Sequence, residues 1–133
     1  ESVTITPARE FLYDSATLET AIAAIRAESS RVGKSRSQLV ARVAEHLERF
    51  SERGYFDNDE QYLPFFYHER LTIADWAPNA LMVVDEPERI REGARGYEED
   101  IRETYTSLLE ANLVLPSQAE AYLSADELLG RMV

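Results

Sequence analysis

Between residues 15 and 53 the apolar side chains return every three or four positions, the spacing of helices that bury one face. Leu18, Ile22 and Ile25, joined by Val32, make the first stripe, and Asp14 or Ser15 is placed to cap it. Gly33 interrupts the stripe. Ser35 and Gln38 then have capping-box spacing, and Leu39, Val43, Leu47 and Phe50 form a second stripe that stops at Gly54. The pattern predicts helices over about 15–53, either packed as an antiparallel pair or fused into one long bent helix. Ahead of them, Ser2-Val3-Thr4-Ile5-Thr6 alternates with β-branched residues up to Pro7, the signature of a short strand over 2–6.

After Gly54 the period is lost. Tyr55, Phe56, Tyr62, Phe65, Phe66, Tyr67 and Trp76 crowd into residues 55–79, punctuated by Pro64 and Pro78, which predicts a short helix within irregular chain. These rings fit either a core filled by large side chains or an exposed binding patch. Ala80-Leu81-Met82-Val83-Val84 is a continuous apolar run of strand length, as in a strand covered on both faces of a parallel sheet. Two short strands do not make a stable sheet. A strand at 80–84 therefore requires neighbours from elsewhere in a longer protein.

Pro87 suits the first turn of a helix, and Ile90, Ala94, Tyr97, Ile101, Tyr105 and Leu108 continue at helical spacing. A long helix is expected over about 87–112, although Gly93 and Gly96 each weaken it by about 1 kcal/mol relative to Ala. Leu113-Val114-Leu115-Pro116 ends it. Ser117 with Glu120, and Ser124 with Glu127, have capping-box spacing and predict short helices over 117–132. The fold class expected is mainly α with a few short strands, with residues 1–133 as a single segment.

Charge changes the picture in the second half. The 133 residues carry 14 basic and 25 acidic groups, a net charge of −11. Residues 1–53 hold eight of each, so the whole excess lies in 54–133, with six basic against seventeen acidic groups. Such a surface is a poor match for phosphate backbones. It fits a solvated helix face or an acidic docking surface. A hydrophobic content of 44% supports a folded chain. Without cysteine there is neither a disulfide framework nor a thiolate metal site, which suits a reducing, cytoplasmic setting. No apolar run approaches the roughly 20 residues of a membrane span, so no membrane partner is expected. The opening Glu1-Ser2-Val3-Thr4-Ile5 has neither signal-peptide character nor an initiator Met, so the chain is expected to be part of something longer.

Few motifs carry chemistry. Gly33-Lys34-Ser35 is the tail of a phosphate-binding loop, but Glu28 stands where the first Gly belongs, and a helix precedes it where a strand is needed. Leu81-Met82-Val83-Val84-Asp85-Glu86 has the form of the strand that nucleotide hydrolases place beside Mg²⁺, with Asp85 toward the metal and Glu86 toward the attacking water. Pro87 follows at once, and the same two acids suit a helix start. His46 and His68 are the only histidines; His46 precedes core-facing Leu47 and belongs at the edge of a helix face. Neither forms a nucleophilic or metal-binding pattern. Arg26, Arg31, Lys34, Arg36 and Arg42 make a basic stretch opposed only by Glu28, fit for a solvated face or for an acidic partner.

Three stretches together resemble a known family. They are Ile5-Thr6-Pro7-Ala8-Arg9-Glu10-Phe11; Gln61-Tyr62-Leu63-Pro64-Phe65-Phe66-Tyr67 through Leu71-Thr72-Ile73-Ala74-Asp75-Trp76-Ala77-Pro78 to Val83-Val84-Asp85-Glu86-Pro87; and Leu113-Val114-Leu115-Pro116 with Ser124-Ala125-Asp126-Glu127-Leu128. Their order resembles the bacterial transcription-repair coupling factor (Mfd), in the part of its N-terminal module that is similar to the excision-repair helicase UvrB. UvrB itself is the alternative. Its strand ends in Asp-Glu-Ser-His, where this chain has Asp85-Glu86-Pro87-Glu88, a departure that favours a module without ATPase activity. The resemblance implies a fragment of a larger α/β, degenerate P-loop helicase-like module, with Asp85 and Glu86 as a degenerate Walker-B-like relic. It implies no catalytic, cofactor or metal residues within this chain. The parent would be an ATP- and Mg-dependent DNA translocase that removes stalled RNA polymerase and recruits UvrA through other domains, and this segment would be scaffold packed against them. A further alternative is an acidic helical adaptor that grips a protein partner through Tyr62 to Trp76.

Overall fold

A computed structural model describes residues 11–32 and 36–131. The strand expected at 2–6, the Gly33-Lys34-Ser35 motif and the Ser35 end of its capping box lie outside the described residues.

Two separate helices, α1 (Ser15–Arg31) and α2 (Ser37–Arg53), replace the single bent helix of the alternative reading. Asp14 caps α1, its carboxylate accepting the Thr17 N–H at 2.8 Å. Those hydrogen bonds hold the Asp14 carboxyl below its ordinary pKa. α2 buries the whole apolar stripe Leu39, Val43, Leu47 and Phe50 against α1, which contributes Ala21 and Ile25. Gly54 ends α2 with φ +73°, a left-handed conformation glycine adopts without a side-chain clash, and its N–H returns to the Phe50 carbonyl at 2.9 Å.

The aromatic stretch divides in two. A 3-10 turn (Asp59–Tyr62) leads into the one-turn helix α3 (Leu63–Phe66), and together they set Tyr62, Phe65 and Phe66 into the core beside Phe11 and Phe50. The rings pack edge-to-face, with Phe11–Phe66 at 4.6 Å and Phe50–Phe56 at 4.8 Å between centroids. Beyond Phe66 the chain turns outward. The helix α4 (Ile73–Trp76) is closed by a Thr72–Asp75 capping box, yet it buries only Ala74 and leaves Trp76 exposed.

No strand occurs among the described residues. The expected strand at Ala80–Val84 is irregular chain, and from Leu81 to Val84 no backbone hydrogen bond to a described residue is formed. A strand needs a partner to satisfy its N–H and C=O groups, and the described residues provide none.

The long helix α5 (Pro87–Glu110) forms, but none of its residues is buried. Its stripe is covered only along Ala94, Ile101, Tyr105 and Leu108, partly by α6 (Ala125–Gly130) and the chain leading to it. α5 ends in a Schellman turn. Asn112 takes φ +55°, Leu113 N–H bonds to the Leu108 carbonyl at 2.8 Å, and Asn112 N–H bonds to Leu109 at 3.1 Å.

The chain then returns to the core as a strap. Leu115 is fully buried and Gln118 nearly so. The Arg42 guanidinium donates to the Leu113 carbonyl at 3.1 Å, and the Gln118 amide nitrogen donates to the backbone and side-chain oxygens of Gln61 at 3.2 and 3.1 Å. Ser117 does not form its expected box with Glu120. Its N–H and hydroxyl both donate to the Glu28 carboxylate on α1, so the capping role passes to Gln118, which accepts the Leu115 N–H at 2.6 Å in a 3-10 helix (Pro116–Glu120). The second box is present: Ser124 Oγ accepts the Glu127 N–H at 3.1 Å, and the Glu127 carboxylate accepts the Ser124 N–H at 2.9 Å.

Candidate functional site

Asp85 and Glu86 do not stand at the end of a strand. Both are exposed, on a turn between irregular chain and α5. Pro87 disfavours the right-handed helical region for the residue before it, and Glu86 takes a left-handed conformation, φ +50°. Its carboxylate pairs with Arg89 at 3.1 Å, one turn into the helix. A hydrolase motif would instead aim its acids from a rigid strand at a phosphate-bound metal. Among the described residues no three His, Asp or Glu side chains gather as metal ligands would.

Next to this turn lies an open apolar groove of about 450 Å³. Ile73 of α4, Leu81 and Val83 of the irregular segment, Ile90 of α5, and Leu128 and Leu129 of α6 line it. Leu81 is 91% exposed, Val83 83% and Ile73 75%, far beyond a scatter of single surface apolar residues. The groove's frame is held by polar contacts. Arg131 donates to the Arg70 carbonyl and reaches Asp75 at 3.4 Å, tying the end of α6 to α4. The Glu98 carboxylate accepts the Ala125 N–H at 2.6 Å, tying α6 to α5. The Asp75 carboxyl is held below its usual range, chiefly by hydrogen bonds from Thr72, with Arg131 adding to the effect, and that of Glu127 by those from Ser124.

A second cleft, about 550 Å³, is lined by Tyr67, His68, Leu71, Trp76 and Tyr122 among others. Arg70 donates to the Tyr122 carbonyl there, joining the aromatic stretch to the chain before α6. The adaptor surface envisaged from Tyr62 to Trp76 is thus split: Tyr62, Phe65 and Phe66 are core, and Tyr67, Leu71, Ile73 and Trp76 face out.

His46 sits at the edge of α2's buried face, as its position beside Leu47 implied. Its ring stacks on Phe56 at 4.6 Å, and Nδ1 is 2.8 Å from the Tyr62 hydroxyl. Burial lowers its pKa, helped by Arg49 and Arg42 and opposed by Glu45. Burial also raises the pKa of Tyr62. The pair is a structural hydrogen bond within an aromatic wall. Of the basic stretch, Arg42 is committed to the strap, Arg26 lines a groove between α1 and α2, and Lys34 lies outside the described residues.

Sequence reasoning missed the Glu28–Ser117 and Arg131–Asp75 contacts, which join residues 89 and 56 positions apart. It also missed the Thr72–Asp75 box that builds α4, although the spacing in Thr72-Ile73-Ala74-Asp75 carries its signal. Among the described residues no helix is long and apolar enough to cross a membrane.

The chain is 32% identical over 87 residues, 64% of its length, to a transcription-repair-coupling factor of Bacillus subtilis (strain 168). That stretch is 7% of the relative's own length. No family model matches the chain. No solved structure matches it.

Proposed function

We propose that this chain is a non-catalytic scaffold segment of a transcription-repair coupling factor. The observation that carries the reading is the 32% identity over 87 residues to such a factor, in a chain whose own residues build a small aromatic core and leave a broad apolar face beside the Asp85–Glu86 turn. The parent is an ATP-dependent DNA translocase of the cytoplasm that removes stalled RNA polymerase and recruits UvrA in nucleotide excision repair. Its ATP, Mg²⁺, polymerase, UvrA and DNA contacts belong to other domains. This segment is part of a UvrB-like module and packs against the rest of its own chain.

The non-catalytic part of the reading is supported by local geometry. Glu86 is exposed, left-handed and paired with Arg89, so it does not aim at a nucleotide. Its substitution separates a relic from a working hydrolase. In the full-length natural protein, Glu86→Gln should leave DNA-stimulated ATP hydrolysis within about twofold of the unsubstituted protein. Loss of hydrolysis by a hundredfold, the order expected when an activating carboxylate is removed, would make this segment an ATPase half-site and end the scaffold reading.

A further inference from the structure

The groove formed by Ile73, Leu81, Val83, Ile90, Leu128 and Leu129 gathers three of the most exposed large apolar side chains among the described residues, and its electrostatic rim decides what can cover it. Asp85 lines it, and Asp75, Glu86, Glu88, Glu92, Asp126 and Glu127 lie within two residues of its lining, against Arg89, Arg91 and Arg131. Each of those arginines already has a carboxylate partner: Arg89 with Glu86, Arg91 with Glu88, Arg131 with Asp75. Asp85 and Asp126 have no basic partner among the described residues. An apolar floor is therefore framed by uncompensated negative charge.

That frame excludes several occupants. Nucleic acid would bring phosphates to an acidic rim. A membrane surface carrying anionic lipid repels the same charges, since interfacial anchors are rich in Lys and Arg. A second copy meeting this face about a two-fold axis would bring one net-acidic rim against another, because such an interface uses the same patch on both copies. A cationic protein segment meets both needs. Its apolar side chains would cover Leu81 and Val83, and its Lys or Arg residues would meet the rim, which is the electrostatic complementarity that steers and registers association.

We propose that this groove is a docking surface for a basic amphipathic polypeptide segment. Apolar contact supplies affinity, while Asp85 and Asp126 supply selectivity for a cationic partner. The inference rests on the groove's own chemistry, so it stands or falls separately from the coupling-factor reading.

Binding is read by the anisotropy of a fluorophore carried on the probe, because the single tryptophan, Trp76, lines the second cleft and not this groove. The probes are three peptides of about 14 residues: one of Leu and Lys at helical amphipathic spacing, its Leu/Glu counterpart, and an oligolysine of equal charge. The Leu/Lys peptide should bind this chain and weaken as salt rises. The other two should bind at least tenfold more weakly. Leu81→Asp with Val83→Asp should weaken the Leu/Lys peptide at least tenfold; both side chains are almost fully exposed, so the fold tolerates the change. Asp85→Asn with Asp126→Asn should weaken it several-fold and flatten its salt dependence. Equal binding to the Leu81/Val83 variant would show general attraction to an acidic protein and overturn the proposal. So would equal binding of the Leu/Glu peptide, or a dimer seen by sedimentation that Leu81→Asp abolishes.

Discussion

Replacing Leu115 by Ala tests how the long helix is held to the core. Leu115 is fully buried at the start of the strap that follows α5. The substitution removes three carbons from an apolar site. At about 0.8 kcal/mol per buried CH₂ the transfer loss alone is roughly 2.4 kcal/mol. The cavity left behind raises this into the 2–5 kcal/mol range typical of buried Leu→Ala changes. About 3 kcal/mol is expected here, because Arg42, Gln118 and Ser117 fix the flanking backbone and limit collapse onto the void. That is a large share of a domain stability of about 5–15 kcal/mol. Urea unfolding followed by circular dichroism reads the loss as a lowered midpoint at unchanged slope. Hydrogen exchange adds the location. Amides of α5 and the strap should lose protection before those of α1 and α2, as expected for a unit that opens separately. A loss below 1 kcal/mol, or equal loss of protection throughout, would refute the strap as the attachment of α5.

Four further outcomes follow from the same geometry. Gly54→Ala should cost about 1 kcal/mol: the added Cβ meets nothing within 4 Å, so the cost is the left-handed backbone alone, readable as a shifted thermal midpoint. Asn112→Gly should stabilise by up to about 1 kcal/mol, since glycine is the preferred residue at the left-handed C′ position of α5; no gain in urea midpoint would count against the Schellman assignment. The pKa of His46 is lowered by burial from the ordinary 6.5, so folding favours its neutral form. Its contribution is then complete above that value and lost as pH falls through the lowered folded pKa; His46→Gln should flatten stability against pH in that window. The carboxyls of Asp14, Asp75 and Glu127 are held low by their caps. Their contribution is present above the ordinary carboxylate range and lost on acidification through the folded values, so Asp75→Asn should reduce the acid sensitivity of the α4–α6 region measured by exchange.

What the sequence made legible was local. Asp14, Gly54, Pro87 and the Ser124–Glu127 box mark helix ends through contacts within four residues, and the stripe from Leu39 to Phe50 needs only its own period to show its buried face. One reading failed, and one helix that formed as expected is left half-covered, for a common reason. Ala80–Val84 is apolar enough for a buried strand and Ile90 to Leu108 regular enough for a buried helix face, yet burial depends on what lies opposite. In the described residues little lies opposite either, so one stays irregular and the other half-covered. By composition the rings of 55–79 fit either a core or an exposed patch; the Thr72–Asp75 cap decides for Trp76, turning α4 so that Ala74 faces inward and Trp76 outward. Ser117 matched a capping box by spacing and was taken by Glu28, a partner no local pattern can reveal. At the candidate site, the acids Asp85 and Glu86 were visible, whereas their exposure was not, because it follows from the missing strand before them and from Pro87 after them.

A coupling-factor parent must act on stalled RNA polymerase, which one measurement addresses directly. The full-length natural protein is added, with ATP, to RNA polymerase stalled on DNA by nucleotide starvation, and the bound transcript is followed over time. ATP-dependent release of polymerase is expected. No release, together with UvrA-dependent loading onto damaged DNA in the absence of polymerase, would contradict it.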